Sequence, residues 1–277
     1  MKTKLLALLG AASYRHMCNH EFSRPRNTNL MSDVYDSPAW RKLMGPCVFP
    51  NNRLGLLFCI DGIPAFASNT LSLKPAEFMN LSLPPGLRAK AENLLLLMLM
   101  PANLKHKEQK KYYDFAAHYE LCDLASVGIA GVKVKVFASS LDTPGRAEVL
   151  GMQSVSGYQS CCVCTHCWSP GLIERACQYG GYRRFLVPGS RGRQSRVSQD
   201  GHIYEYGNVC TRSPPKYRND DMVRTACALA CERGRPTLGH KSVPLQSHWP
   251  DFSWYRQNVP DLMHGIQPDD ISLAVAT

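Results

Sequence analysis

Arg53-Leu-Gly-Leu-Leu-Phe-Cys-Ile-Asp61-Gly-Ile-Pro64 decides how the rest of the chain is read. A short apolar run stops at an acid, a glycine and a proline. Runs of this length between turn residues read as buried strands. Asp61 then stands at the strand's carboxyl end, where the chain turns away. Gly131-Val-Lys-Val-Lys-Val-Phe-Ala-Ser-Ser-Leu-Asp142-Thr-Pro144 repeats the arrangement with a β-branched run, an acid and a proline. Carboxylates at the ends of two neighbouring strands can share a divalent cation.

The segments between and around these strands set the fold class. The region 14–30 is polar and reads as loop, and Tyr35 and Trp40 are anchors for the segment 32–40. Within 67–83 the sequence predicts one short strand and a turn. For 91–100, periodicity does not separate strand from buried helix, but its shortness and Pro101 favour a strand. A helix is predicted over 104–127, with Tyr112, Phe115, Ala116, Tyr119, Leu121 and Leu124 as its apolar face and Gly128 as its stop. The second acidic strand follows at 132–138. Another helix begins near 147, a further one covers 219–233, and 239–254 reads as loop. Strand, hairpin-like strands, helix, strand, helix is the opening of a ribonuclease H-like α/β domain, a mixed sheet with helices in which the first and fourth strands lie side by side. The domain organisation expected is an N-terminal segment (1–30), the first part of the core (31–156), a basic Cys/His-containing insertion (157–258) and a return to the core (259–277).

The chain has 277 residues, 44% hydrophobic and 19% charged, which is the balance of a globular protein and not of a disordered one. Its net charge of +10 points to a polyanionic partner, nucleic acid before an acidic membrane, with a simply basic protein as the alternative. The longest apolar run is too short to cross a bilayer. Twelve cysteines lack the regular framework of a secreted disulfide protein, which predicts a reducing compartment. Residues 1–13 are basic and then apolar, like a signal peptide; the alternative is a short helix, and secretion is the reading if they are cleaved.

Three further groups carry chemistry. Cys161-x-x-Cys164 and Cys164-x-x-Cys167 both have zinc-knuckle spacing, with His166 inside and with buried free thiols as the alternative. The run Tyr182–Arg193 and Arg196 supplies Arg183, Arg184, Arg191, Arg193 and Arg196, which suit phosphate gripping or a solvated basic loop. Asp261-x-x-His264 is an acid–histidine pair near the end of the chain. Asp61 and Asp142 suit Mg²⁺ or Mn²⁺, which favour oxygen ligands, while aspartates in such places also cap turns and helices.

The ordered set Ser32-Asp-Val-Tyr-Asp-Ser-Pro-Ala-Trp40, Asp61-Gly-Ile-Pro64, Asn80-Leu-Ser-Leu-Pro-Pro85, Leu141-Asp-Thr-Pro144, Gly157 to Cys161-x-x-Cys164, Arg183-Arg-Phe-Leu186 and Pro260-Asp-Leu-Met-His264 resembles the transposases of CACTA-type (En/Spm-like) DNA transposons. The resemblance implies a nuclear ribonuclease H-like enzyme that cuts and joins DNA with Mg²⁺ or Mn²⁺ on an acidic triad. Asp61 and Asp142 match its first two acids, Asp261 and His264 its acid-x-x-His signature, and Cys161 and Cys164 its CxxC. The third acid, usually Glu, is expected well beyond His264, whereas Asp269 and Asp270 come too soon. The expectation is therefore a truncated, domesticated or decayed transposase that binds DNA and cuts it poorly, with oligomerisation left open. A non-catalytic, zinc-dependent nucleic-acid or protein-binding module is the alternative.

Overall fold

A computed structural model describes residues 1–24, 32–44, 53–64, 72–154 and 217–260, with Cys161, Cys162, Cys164 and short strand pairs between 169 and 206. The chain divides into two compact units, Met1–Gly145 with Leu245–Thr277, and Arg146–Pro244.

The first unit is α/β. Its strands are β1 (Arg53–Ile60), β2 (Ile63–Pro64), β3 (Ser72–Asn80), β4 (Leu95–Pro101), β5 (Lys133–Leu141) and, after the second unit, β10 (Asn258–Pro260). The sheet runs β10-β5-β1-β3, with β4 on the far edge of β3 and β2 extending the β1 side of the β3 ladder. β1, β5 and β10 are mutually parallel; β3 is antiparallel to β1 and β4.

β1 is covered on both faces, which is why its sequence is continuously apolar. Leu54, Leu56 and Phe58 are buried on one face. There Phe58 meets Phe78, Tyr113 and Trp249 at ring separations of 5.5, 6.0 and 4.9 Å. On the other face Trp40 lies against Gly55 so closely that a Cβ there would fall 2.4 Å from the indole. Trp40 comes from α4 (Pro38–Met44) and joins Tyr35, Met44 and Leu81 in a buried cluster with Leu57, Met79 and Phe137 around it.

Three expectations need correction. The polar stretch from 14 onward is helical in its described part: α1 (Lys2–Gly10), α2 (Ala12–Met17) and α3 (His20–Ser23) follow one another. Leu5, Leu9, Tyr14 and Cys18 are buried, and Asn80 Nδ2 donates to the Tyr14 hydroxyl at 3.1 Å. The helix near 147 begins earlier, as α8 (Thr143–Val149), after the four-residue α5 (Pro85–Arg88). Pro144 falls in its first turn, where a proline's missing N–H costs nothing.

The third correction concerns the long helix. It is present as α6 (His106–Ala116), a π turn at Ala117–Leu121 and α7 (Cys122–Ser126). Its buried residues are Gln109, Tyr113, Ala116, Ala117, Leu121 and Leu124, whereas Tyr112, Phe115 and Tyr119 are 42%, 62% and 56% exposed. Both sides of this helix carry aromatics, so periodicity does not choose between them. The choice is made by Trp249, whose ring stacks on Tyr113 at 5.9 Å. Two alanines beside Tyr113 then let the helix approach the sheet.

The second unit holds the end of α8, two small antiparallel pairs, β6 (Ser169–Pro170) with β7 (Cys177–Gln178) and β8 (Gln194–Val197) with β9 (Ile203–Tyr206), and α9 (Asp220–Arg233). Asn219 caps α9 by accepting from the Met222 N–H at 2.8 Å, and Gly234 ends it in the left-handed conformation with φ of 62°. No helix among the described residues is long and apolar enough to cross a membrane.

Candidate metal site at the strand ends

The register of β1 and β5 brings the two aspartates into line. From Arg53↔Lys133 to Leu56↔Val136 partners differ by 80 in number, and from Leu57↔Ala138 to Cys59↔Ser140 they differ by 81. The change is a bulge at Phe137. Asp142 is also 81 positions after Asp61, so both lie two residues past the last pair of the ladder. Without the bulge the partner of Asp61 would be Leu141, and Asp142 would be carried to the opposite face. Phe137 is held from two sides. Its ring packs on Trp40 at 5.0 Å, and Gln257 Nε2 donates to the Val136 and Phe137 carbonyls at 2.8 and 3.0 Å.

Each aspartate also makes a local bond. Asp61 is exposed and its Oδ1 accepts from the Gly62 N–H at 2.7 Å. Asp142 Oδ1 accepts from the Gly145 N–H at 2.7 Å, capping α8, and a Cβ on residue 145 would lie 2.6 Å from that oxygen. One oxygen of each carboxylate is used in this way. The pairing of β5 with β10 ends at Leu141↔Pro260, and each of these residues precedes an aspartate in the sequence, Asp142 and Asp261. Asp261 and His264 lie outside the described residues.

The thiols of Cys161 and Cys164 are 3.5 Å apart in the second unit. Arg218, 1% exposed, donates from Nε to the carbonyls of Cys161 and Cys164 at 2.9 and 3.1 Å. Burial pushes the neighbouring Cys162 thiol above its usual pKa. Among the described residues no group of three or more His, Cys, Asp or Glu is arranged to hold a metal. Arg183, Arg184, Arg191 and Arg193 lie outside the described residues; Arg196 falls in β8, opposite Tyr204 of β9.

His240 in the same unit is 1% exposed, with Nδ1 3.3 Å from the Leu150 carbonyl. Burial, with Arg218's charge adding to it, lowers its pKa to about 4. An unfolded histidine titrates near 6.5, so the unfolded chain binds the proton first as pH falls. This unit's stability is therefore fully present above about pH 6.5 and declines between there and about 4, by on the order of 3 kcal/mol. Urea melts at pH 7.5 and 4.5 will show that loss, and His240→Leu will flatten it; equal slopes in the two proteins would refute the assignment.

One arrangement escaped the sequence reading. The segments 32–40 and 80–88 meet in a half-buried polar network beneath β1. Asp33 receives both terminal nitrogens of Arg88 at 2.8 Å each, and Arg88 Nε donates to the Leu83 carbonyl at 2.8 Å. Asp36 accepts from the backbone N–H of Ser32 and Asp33 at 2.9 and 3.0 Å and is bridged by Arg24, which holds its carboxyl down to about 2. The Tyr35 hydroxyl donates to the Leu81 carbonyl at 2.5 Å. These residues frame the sheet and do not stand at the strand ends; the D-x-x-D spacing of a capped turn was the available signal. Comparison with models of known families, with curated proteins and with solved structures gave no match to this chain.

Proposed function

We propose that this chain is derived from a transposase of the CACTA type, with a ribonuclease H-like first unit whose ancestral reaction was divalent-metal-dependent DNA cleavage and strand transfer. The observation that carries the reading is the β1–β5 register, whose bulge aligns Asp61 with Asp142. The strand order supports it: three antiparallel strands, a helical crossover, then a fourth strand parallel to the first and beside it. The +10 charge suits a DNA partner.

The donor set fits Mg²⁺ or Mn²⁺. Both groups are carboxylates, Asp61 is exposed, and each has a second oxygen beyond the one on a local N–H. Bound there, such ions would supply an activated nucleophile and charge stabilisation for the leaving oxygen. The chain's own contribution is to hold the carboxylates: the Phe137 bulge sets their register, and the Gly145 N–H orients Asp142. Two carboxylates bind more weakly than three, so DNA binding with inefficient cleavage is the function proposed. Mn²⁺ titration followed by electron paramagnetic resonance tests it. Asp61→Asn and Asp142→Asn are each expected to weaken binding by at least about tenfold, with Asp261→Asn measured beside them. Binding unchanged in both of the first two variants would sink the metal site, and robust plasmid nicking lost in Asp61→Ala would sink the weak-cleavage reading.

A second reading rests on the thiol pair. Two sulfurs on a tetrahedral zinc lie about 3.8 Å apart, near the 3.5 Å between Cys161 and Cys164. On this reading the second unit is a zinc-dependent binding module, and metal analysis of protein purified without chelators decides it.

A further inference from the structure

We infer that the outward face of α6 and its π turn is a stacking platform for the bases of single-stranded nucleic acid, a site apart from the carboxylate pair. It rests on the nucleic-acid reading above. The face displays Lys107, Lys111, Tyr112, Phe115, His118 and Tyr119, all exposed. Tyr112, Phe115 and Tyr119 recur at the three-and-four spacing of one helix side. The Phe115 and Tyr119 rings lie 4.5 Å apart, and His118 meets Tyr119 edge-on at 4.7 Å. The helix already buries its other side in the core, so this second aromatic stripe is not what holds the helix on the sheet, and it leaves much of three aromatic rings in water.

The charges around the rings choose the occupant. Every acid on the helix is engaged locally. Glu108 accepts from the Lys105 N–H at 2.8 Å, and Asp114 is bridged by Lys110 and by His248 at 2.9 Å. Glu120 accepts from the Lys2 N–H at 2.9 Å, and Asp123 from Lys2 Nζ at 2.7 Å. Lys107 and Lys111 have no acidic partner among the described residues. The platform is thus aromatic and cationic, which complements a strand of bases and phosphates and disfavours a second copy of the same basic face. Tyr112 to Tyr119 spans about 10 Å at about 1.5 Å per residue, roughly the length of three stacked nucleotides at about 3.4 Å each. A duplex keeps its bases stacked on one another and cannot offer them, so the platform distinguishes single strands from double. The π turn lies within it, as such turns often do at functional sites.

Fluorescence anisotropy of the full chain with a labelled oligothymidylate, and with a duplex of equal length, tests this. Phe115→Ala/Tyr119→Ala should weaken oligothymidylate binding by about tenfold or more and change duplex binding by less than about twofold. Lys111→Ala should lower the salt slope for the single strand by about one. Thermal melts of the double variant should match the parent, since both rings are exposed. If the parent binds the single strand and the double variant binds it equally, or if the parent binds only duplex, the platform is overturned and the nucleic-acid reading survives. If the parent binds neither, both fall. A dimer in sedimentation that the double variant abolishes, with single-strand binding unchanged, assigns the face to self-association and overturns the platform.

Discussion

Asp33→Ala will destabilise the first unit by about 3–5 kcal/mol, the cost of leaving one partner of a buried ion pair alone. The Asp33 side chain is 4% exposed and that of Arg88 11%, and their two parallel bonds are both 2.8 Å. Removing the carboxylate leaves a desolvated guanidinium whose remaining contacts, the Leu83 carbonyl and the Tyr35 ring 5.3 Å away, carry no full negative charge to neutralise it. It also removes the acceptor for the Val34 N–H at 2.6 Å, and with it the cap of the turn at Val34–Asp36. Asp33→Ala/Arg88→Met should recover much of the loss, because no buried charge is then left unpaired. Urea denaturation followed by tryptophan fluorescence measures both. A single variant within about 0.5 kcal/mol of the parent would put this pair in the class of surface ion pairs, against its burial.

Trp40→Ala is the second large effect, about 3–5 kcal/mol for a large aromatic removed from a packed cluster. The indole is 2% exposed, lies edge-on to Tyr35 at 5.0 Å, and donates from Nε1 to Glu21 at 3.1 Å. It also fills the space over Gly55, so Gly55→Ala, which drives a Cβ into the same ring, should act in the same direction. The consequence reaches the carboxylates. Trp40 packs on Phe137, the residue whose bulge puts Asp61 and Asp142 the same two residues past the last pair of the β1–β5 ladder. Its loss loosens that register, so Mn²⁺ affinity should fall in Trp40→Ala under conditions where the protein is still folded. A variant destabilised as expected but with parental Mn²⁺ affinity would show that the bulge is held by Gln257 alone.

Much of the fold could be read directly from the residues. The apolar runs at 53–60, 95–101 and 133–141 are strands, and 106–126 is helical, because buried strands and long periodic helices write strong local patterns. The N-terminal helices α2 and α3 were hidden because α2 buries Tyr14 alone, α3 buries nothing, and Cys18, which is buried between them, is likewise set among polar residues. The outward turn of Tyr112, Phe115 and Tyr119 was hidden for a different reason: an aromatic ring reads as core until something else fills the core first.

The sequence by itself determined that aspartates end two apolar runs, that the chain is basic, and that two cysteines stand three apart. Local composition suffices for those statements. The strand order led to the expectation that the two strands are neighbours; only the tertiary structure decided that one extra residue at Phe137 brings their ends into step, and that Trp249, from a stretch without a periodic pattern, selects which side of α6 faces the sheet. These depend on pairing and packing between segments far apart in the chain, where a shift of one residue exchanges inside for outside and leaves no trace in either segment alone.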